Sequence, residues 1–117
     1  MKIGVLVLEG PYQHQAVDSA YHFVQAARKR GHEIVGLFLF TDAVNNANKN
    51  ISPPGERNLN KMMDELGEQG IDVVACSACA RFRGIRKDTV SEHIRASGLG
   101  SLVDFINQAD RFITFGD

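Results

Sequence analysis

Two apolar runs separated by one amphipathic stretch constrain the fold of this chain more than any other feature. Residues 2–8 and residues 34–40 are apolar almost throughout, as strands buried on both faces of a parallel sheet are. Between them, apolar residues recur at helical spacing from residue 16 to residue 27, and Gly31 supplies a stop signal after Lys29 and Arg30. A strand, a helix and a second strand in this order predict a right-handed βαβ unit.

The rest of the chain continues the alternation of strands and helices. The Asn-rich residues 41–50 and the breaker at residues 52–55 predict a loop, and a second amphipathic helix follows at residues 59–66. Residues 71–75 predict a third strand, Ser101 is expected to cap a last helix, and residues 112–115 predict a final strand. The sequence therefore predicts one domain over residues 1–117, a three-layer α/β/α sandwich around a mostly parallel sheet of four or five strands.

Composition and charge narrow the classes of function. Hydrophobic residues make up 44% of the chain and charged residues 23%, as in an ordinary globular domain. The net charge of −1 gives no reason to expect nucleic acid or an acidic membrane as the main partner. No apolar run approaches the length of a membrane span, and the N-terminus lacks the features of a signal peptide. The chain is therefore expected to be cytoplasmic, where two cysteines three residues apart are more often reactive than joined in a structural disulfide.

Both cysteines lie in the segment where the third strand is predicted to pass into a helix. Cys76 is expected at the carboxyl end of that strand, the edge at which open parallel sheets usually bind ligands. Unpaired backbone N–H groups, the positive end of a helix dipole and the nearby Arg81 and Arg83 would each favour its thiolate over its thiol. The alternative is that Cys76 is only a small buried hydrophobe, as free cysteines often are.

The spacing of Cys76 and Cys79 permits two other interpretations. A zinc site would need two more ligands, usually a second cysteine pair or a closely spaced histidine pair. The histidines are scattered along the chain: His14, His22, His32 and His93. A thioredoxin-like dithiol shares the strand–CxxC–helix context, but no proline follows these cysteines to form the active-site loop of a thioredoxin. Metal binding and a pure redox function are therefore the less favoured interpretations.

Other chemistry finds little support in the sequence. A hydrolytic triad built on Cys76 would need a histidine partner, and only His14 is expected at the same edge of the sheet. The Gly98-x-Gly100 pattern lacks a third glycine and matches neither a dinucleotide-binding fingerprint nor a phosphate-binding loop. No cofactor is expected.

Short motifs at compatible spacings extend along essentially the whole chain. They lie at residues 9–15 (EGPYQHQ), 31–33 (GHE), 44–46 (VNN), 53–54 (PP), 83–85 (RGI), 97–100 (SGLG), 109–111 (ADR) and 115–117 (FGD). In this combination the chain resembles the DsrE/TusD family of small cytoplasmic sulfurtransferase subunits. The active cysteine of that family lies eight residues before the glycine of an Arg-Gly-Ile/Val motif, as Cys76 lies eight residues before Gly84.

The resemblance implies that Cys76 accepts sulfane sulfur as a persulfide and passes it to a partner protein. The relay would serve sulfur oxidation or tRNA 2-thiouridine synthesis, with sulfur-carrier proteins as donor and acceptor. The resemblance also implies a trimer or hexamer, either of this chain alone or with sister subunits. The residues expected to line the pocket and stabilise the anion are Gly10, Tyr12, Arg81, Arg83, Ser97 and Gly98. The alternatives are a non-catalytic assembly subunit with an inert Cys76 and a CxxC dithiol redox protein.

Cys79 marks a departure from the family, whose members usually have a small residue such as alanine there. If a helix begins at Cys76, Cys79 lies about one turn further on, on roughly the same face. It could then discharge a persulfide on Cys76, releasing sulfide and leaving a Cys76–Cys79 disulfide. Alternatively, Cys79 packs inward as a small apolar residue and never meets Cys76.

Overall fold

The computed structural model describes residues 1–117. The strands are β1 (Lys2–Val7), β2 (Glu33–Leu39), β3 (Val73–Cys76), β4 (Ile94–Ser97) and β5 (Arg111–Phe115). The α-helices are α1 (Ala16–Lys29), α2 (Leu59–Glu68), α3 (Ser77–Phe82) and α4 (Leu99–Gln108), and there are 3₁₀ helices at Thr41–Ala47 and Lys87–Thr89. The longest helix has 14 residues, and none is both long and apolar enough to cross a membrane.

The five strands form one sheet in the order β4-β3-β2-β1-β5, and every neighbouring pair is parallel. The strand order reverses at β1, because β2, β3 and β4 follow on one side and β5 lies on the other. Right-handed crossovers then place α1 and α2 on one face and α4 on the opposite face. In agreement, α1 packs against α2, and α4 packs on β1 and β2. The predicted α/β sandwich around a parallel sheet is confirmed.

The core is densest around β2, the middle strand of the sheet. Leu37, Phe38 and Leu39 are fully buried, as expected for a strand covered on both faces. Gly36 allows α4 to pack closely on the sheet, because a Cβ atom at this position would lie 2.3 Å from the Phe105 ring and clash with it. The missing side chain thus allows the Phe105 ring to lie directly on the sheet.

The N-terminal side of α4 differs from the sequence-based prediction. Strand β4 is absent from the predicted elements, because only Ile94 of its four residues is fully buried and the strand forms an edge of the sheet. The prediction that Ser101 caps the last helix is wrong. Helix α4 begins at Leu99 with Gly98 at the N-cap position, and the Ser101 hydroxyl instead donates to Ser97 Oγ at 2.8 Å.

Residues 41–47 form a 3₁₀ helix where the sequence predicts a loop. Asn46 is fully buried, and its Nδ2 donates to the carbonyl oxygens of Glu9 at 3.1 Å and Ala43 at 2.9 Å. Asn60 donates to the Asn46 carbonyl oxygen at 2.9 Å. The bonds to Glu9 and Asn60, which are distant in sequence, override the turn preference of asparagine. The 3₁₀ helix therefore has a fixed position against β2, β3 and α3.

Candidate active site

Cys76 is both the last residue of β3 and the N-cap residue of α3. It lies beside Ser97 in the parallel pairing of β3 with β4, at the carboxyl edge of the sheet. The side chain is only 2% exposed. The strand order reverses between β1 and β5, so Cys76 does not lie at the topological switch point where such sheets most often bind ligands. The placement predicted at the end of a strand and the start of a helix is confirmed.

Cys79 lies in the first turn of α3 and is half-buried. Burial raises the pKa of the Cys79 thiol, and its hydrogen bond with the Cys76 sulfur raises the pKa further. A backbone hydrogen bond from Thr41 and the positive charge of Arg83 act in the opposite direction. The Cys76 thiol is therefore close enough to raise the pKa of the Cys79 thiol, and Cys79 is the more exposed of the two.

Thr41 is a member of this site that the sequence does not reveal. Its φ of +53° is unusual for a β-branched residue, for which the left-handed region is strongly disfavoured. The Thr41 hydroxyl donates to the Leu8 carbonyl oxygen at 2.8 Å, which ties the turn after β2 to the end of β1. In this conformation its backbone N–H is close enough to the Cys79 thiol to lower the pKa of that thiol. Strained backbone of this kind is common at functional sites.

Arg83 joins α3 to the 3₁₀ helix that follows β2. Its Nε donates to Asp42 Oδ1 at 2.7 Å, and its Nη1 donates to the Cys79 carbonyl oxygen at 3.0 Å. The guanidinium is close enough to act electrostatically on the Cys79 thiol. Gly10 lies on the other side of Asp42, because a Cβ atom at Gly10 would be 3.2 Å from the Asp42 carbonyl oxygen. Gly10 and Asp42 line a polar cleft of about 450 Å³.

Tyr12 and Ser97, two other predicted pocket residues, have different surroundings in the structure. The Tyr12 hydroxyl donates to the Arg57 carbonyl oxygen at 2.8 Å and accepts from the Leu59 N–H at 3.1 Å. These two hydrogen bonds fix the Tyr12 hydroxyl against the segment before α2. Ser97 lies beside Cys76 in the sheet, and its Oγ accepts the hydrogen bond from Ser101 described above.

Gly98 and Arg81, the last two of the predicted site residues, lie on different elements. Gly98 is the N-cap residue of α4. Arg81 is exposed and lines a different groove, beside β4. Of the predicted site residues, the structure brings Cys76, Cys79, Arg83 and Ser97 together, with Gly10 joined to them through Asp42.

The histidines do not join the thiols. His14 Nδ1 lies 3.0 Å from Glu9 Oε1, and His93 Nδ1 lies 3.1 Å from Asp64 Oδ2. No group of three or more His, Cys, Asp or Glu side chains is arranged to hold a metal ion. The candidate reactive groups at the carboxyl edge of the sheet are the thiols of Cys76 and Cys79.

These features define a small α/β-sandwich protein with a thiol pair where an inner strand of a parallel sheet enters a helix. The chain matches the family model described as "DsrE/DsrF-like family" over residues 1–115, and it belongs to that family. The resemblance drawn from the sequence motifs is thereby confirmed.

Relatives and a solved structure agree with this membership. A protein of Allochromatium vinosum, provisionally named "sulfurtransferase DsrE", is 45% identical, with 100% of both chains covered. Sulfurtransferase TusD of Salmonella arizonae is 31% identical, with 98% of this chain and 100% of the relative covered. The crystal structure of the YchN protein from E. coli matches with a TM-score of 0.89 at 25% identity, covering 98% of this chain and 99% of that one.

Proposed function

We propose that this protein carries sulfane sulfur as a persulfide on Cys76 and passes it to a partner protein in a sulfur relay. Its family and its relatives, one of them a sulfurtransferase TusD aligned over nearly the whole chain, make it a sulfurtransferase. The observation that carries the proposal is the position of Cys76, buried at the end of β3 and the start of α3, with the Cys79 thiol close to it. On the sequence grounds given above, the relay would operate in the cytoplasm.

The transfer needs only two exchanges at sulfur. In the first, the Cys76 thiolate attacks the terminal sulfur of a donor persulfide, the donor S–S bond breaks, and the donor leaves as a thiolate. In the second, an acceptor thiolate attacks the terminal sulfur of Cys76–S–SH, and Cys76 leaves as a thiolate. The backbone N–H groups at the start of α3 have no partners within the helix and would support the anionic forms of the sulfur.

Burial of Cys76 has a consequence for the partner. A side chain that is 2% exposed protects a persulfide from water and from stray thiols. It also means that a donor or an acceptor reaches the sulfur only where the surrounding turn moves or a partner surface displaces it. This agrees with transfer between docked proteins, in sulfur oxidation or in a relay for tRNA 2-thiouridine.

Mass spectrometry after incubation with polysulfide tests the proposal. We expect an adduct of one sulfur atom that maps to Cys76, disappears on treatment with dithiothreitol, and is absent from Cys76→Ser. The competing function is that of an assembly subunit with an inert Cys76. Absence of the adduct from the wild-type protein with every sulfane-sulfur donor tried would establish that competing function instead.

The proximity of the two thiols supports a second candidate function, the release of sulfide. The Cys79 thiolate would attack the inner sulfur of the Cys76 persulfide, the S–S bond to the terminal sulfur would break, and that sulfur would leave as hydrosulfide. The product is a Cys76–Cys79 disulfide, so the sulfane sulfur itself is the oxidant and is reduced. Burial raises the pKa of the Cys79 thiol, which lowers its ionised fraction relative to a free cysteine and so slows this release.

The outer face of α4 supports the proposal of a trimer or hexamer. Leu99, Val103 and Ile106 are about half exposed and recur at helical spacing, so they form one apolar stripe along the helix. Exposed apolar patches of this kind mark interfaces between proteins. We propose that this stripe is buried between subunits, either copies of this chain or sister subunits.

A further inference from the structure

A groove of about 970 Å³ lies beside β4, on the other side of α3 from the Arg83–Asp42 ion pair. It begins at Ser77, the residue that follows Cys76, and extends along the connector between α3 and β4. Its floor is apolar, because Ala80, Ile85 and Ile94 line it and are each less than a tenth exposed. Its rim carries Arg81, Arg86, Lys87, Arg95 and a single carboxylate, Glu92. We call it the basic groove.

Three of the four cations on the rim have no ionic partner within the chain. Arg95 binds both carboxylate oxygens of Asp72, at 2.8 and 2.9 Å. Arg81, Arg86 and Lys87 are exposed and form no salt bridge. The chain as a whole has a net charge of −1, so this concentration of unpaired positive charge is local. A surface of this kind attracts and orients an anionic partner.

The shape and lining of the groove indicate which anion it fits. The groove runs beside an edge strand, whose outer side pairs with no other strand. An extended peptide can bind at such an edge, with alternate side chains directed to the surface. The lining contains no aromatic residue on which nucleic-acid bases could stack. The apolar floor and cationic rim together match a peptide in which acidic and apolar side chains alternate.

We propose that the basic groove binds an extended acidic segment of the protein that exchanges sulfur with Cys76. This inference rests on the proposed function, because it identifies the chemistry of the sulfur partner. A segment seated along β4 would end beside Ser77 and so bring its own cysteine next to the turn that carries Cys76. The groove would then supply specificity for the partner, while the thiols supply the chemistry.

Fluorescence anisotropy with a labelled peptide in which Glu alternates with Val tests the proposal. We expect binding that weakens as salt is raised, since the contacts on the rim are ionic and exposed. The double charge reversal Arg86→Glu/Lys87→Glu should weaken binding by about tenfold or more. Lys29→Glu/Arg30→Glu is the matched control, because this pair is also consecutive, exposed and free of salt bridges but lies at the end of α1. The control should retain the wild-type affinity.

Three results would overturn the proposal. One is equal affinity of the wild-type protein and the groove variant for the Glu–Val peptide. Another is equal binding of a Lys–Val peptide, which has the opposite charge. The third is tighter binding of a single-stranded RNA oligonucleotide that the groove variant also loses. The binding assay uses reduced wild-type protein without a sulfur donor, and the persulfide assay uses no peptide, so either proposal can fail while the other stands.

Discussion

Arg83 Nε donates to Asp42 Oδ1 at 2.7 Å and thereby joins the end of α3 to the 3₁₀ helix after β2. The second donor of the same guanidinium, Nη1, holds the Cys79 carbonyl oxygen at 3.0 Å. Arg83 is therefore fixed from two sides, and its charge acts on the Cys79 thiol from a defined position. The charge of Arg83 lowers the pKa of Cys79, the second cysteine of the pair, and its role in stabilising a sulfur anion stays a prediction.

Removing this charge should make Cys79 less acidic. We expect Arg83→Gln to raise the pKa of the Cys79 thiol, because the guanidinium is one of the groups that counteract the effect of burial. The rate of alkylation of Cys79 as a function of pH, measured in a Cys76→Ser background, gives this pKa. Arg81→Gln, on the same helix but directed to the basic groove, is the control and should leave the profile in place. A profile that does not move in Arg83→Gln would show that Arg83 is only a structural link.

Substitution of Cys79 distinguishes sulfide release from simple packing. If Cys79 discharges the persulfide on Cys76, Cys79→Ala and Cys79→Ser should both lengthen the lifetime of the Cys76 persulfide and lower the sulfide released, by several-fold. The two variants differ in polarity but share the loss of the thiol, so a common effect points to sulfur chemistry. Methylene-blue detection of sulfide, together with mass spectrometry of the persulfide, measures both quantities. Identical lifetimes in all three proteins would mean that Cys79 only packs.

The pair formed by His93 and Asp64 predicts a pH dependence of stability. Asp64 raises the pKa of His93 above its usual value of 6.5, chiefly through a hydrogen bond to the ring. A raised folded-state pKa means that the stabilisation is fully present below the unfolded-state pKa and is lost as the pH rises through the folded-state pKa. The difference in Tm between the wild-type protein and His93→Gln should therefore be larger near about pH 5.5 than near about pH 8.5. A difference that is constant over this range would contradict the prediction.

Charges on the outer face of α4 should disrupt the proposed oligomer. Val103 and Ile106 are 52% and 47% exposed in the isolated chain, so glutamate at either position is tolerated in the monomer but not in an apolar interface. We expect Val103→Glu/Ile106→Glu to elute as a monomer with an unchanged circular dichroism spectrum. Gln108→Glu, an exposed position on the opposite side of the same helix, is the control. A wild-type protein that light scattering shows to be monomeric at micromolar concentration would exclude the oligomer.

The sequence predicted the parts of the fold in which burial and periodicity agree. Strands β1, β2 and β3 are apolar runs, and the first turn of α3 follows β3 where the cysteines indicate it. Strand β4 could not be predicted in the same way, because at the sheet edge only Ile94 is buried and the other positions can be polar.

The candidate site was predictable only in part. The spacing of Cys76 and Cys79 places both thiols on one turn, so their proximity follows from local geometry. The roles of Thr41 and Arg83 depend on which turn folds against α3, and no local pattern specifies that. Tyr12 was expected near the thiol, but the segment before α2 satisfies its hydroxyl. Arg81 and Arg83 are two residues apart on a helix and so project in different directions, one to the basic groove and one to the thiols.

The sheet is completed only when β5, the last strand to be synthesised, pairs with β1. The Asp110 N–H donates to the Lys2 carbonyl oxygen at 2.7 Å, and the Lys2 N–H donates to Asp110 Oδ2 at the same distance, so the beginning and end of the sequence meet. While the ribosome is still producing the chain, β1 can pair with β2 but keeps its other side open. An open strand edge of this kind invites pairing with another nascent chain. The five residues of β5 close this edge, so the side of β1 stays unpaired until they have emerged from the ribosome.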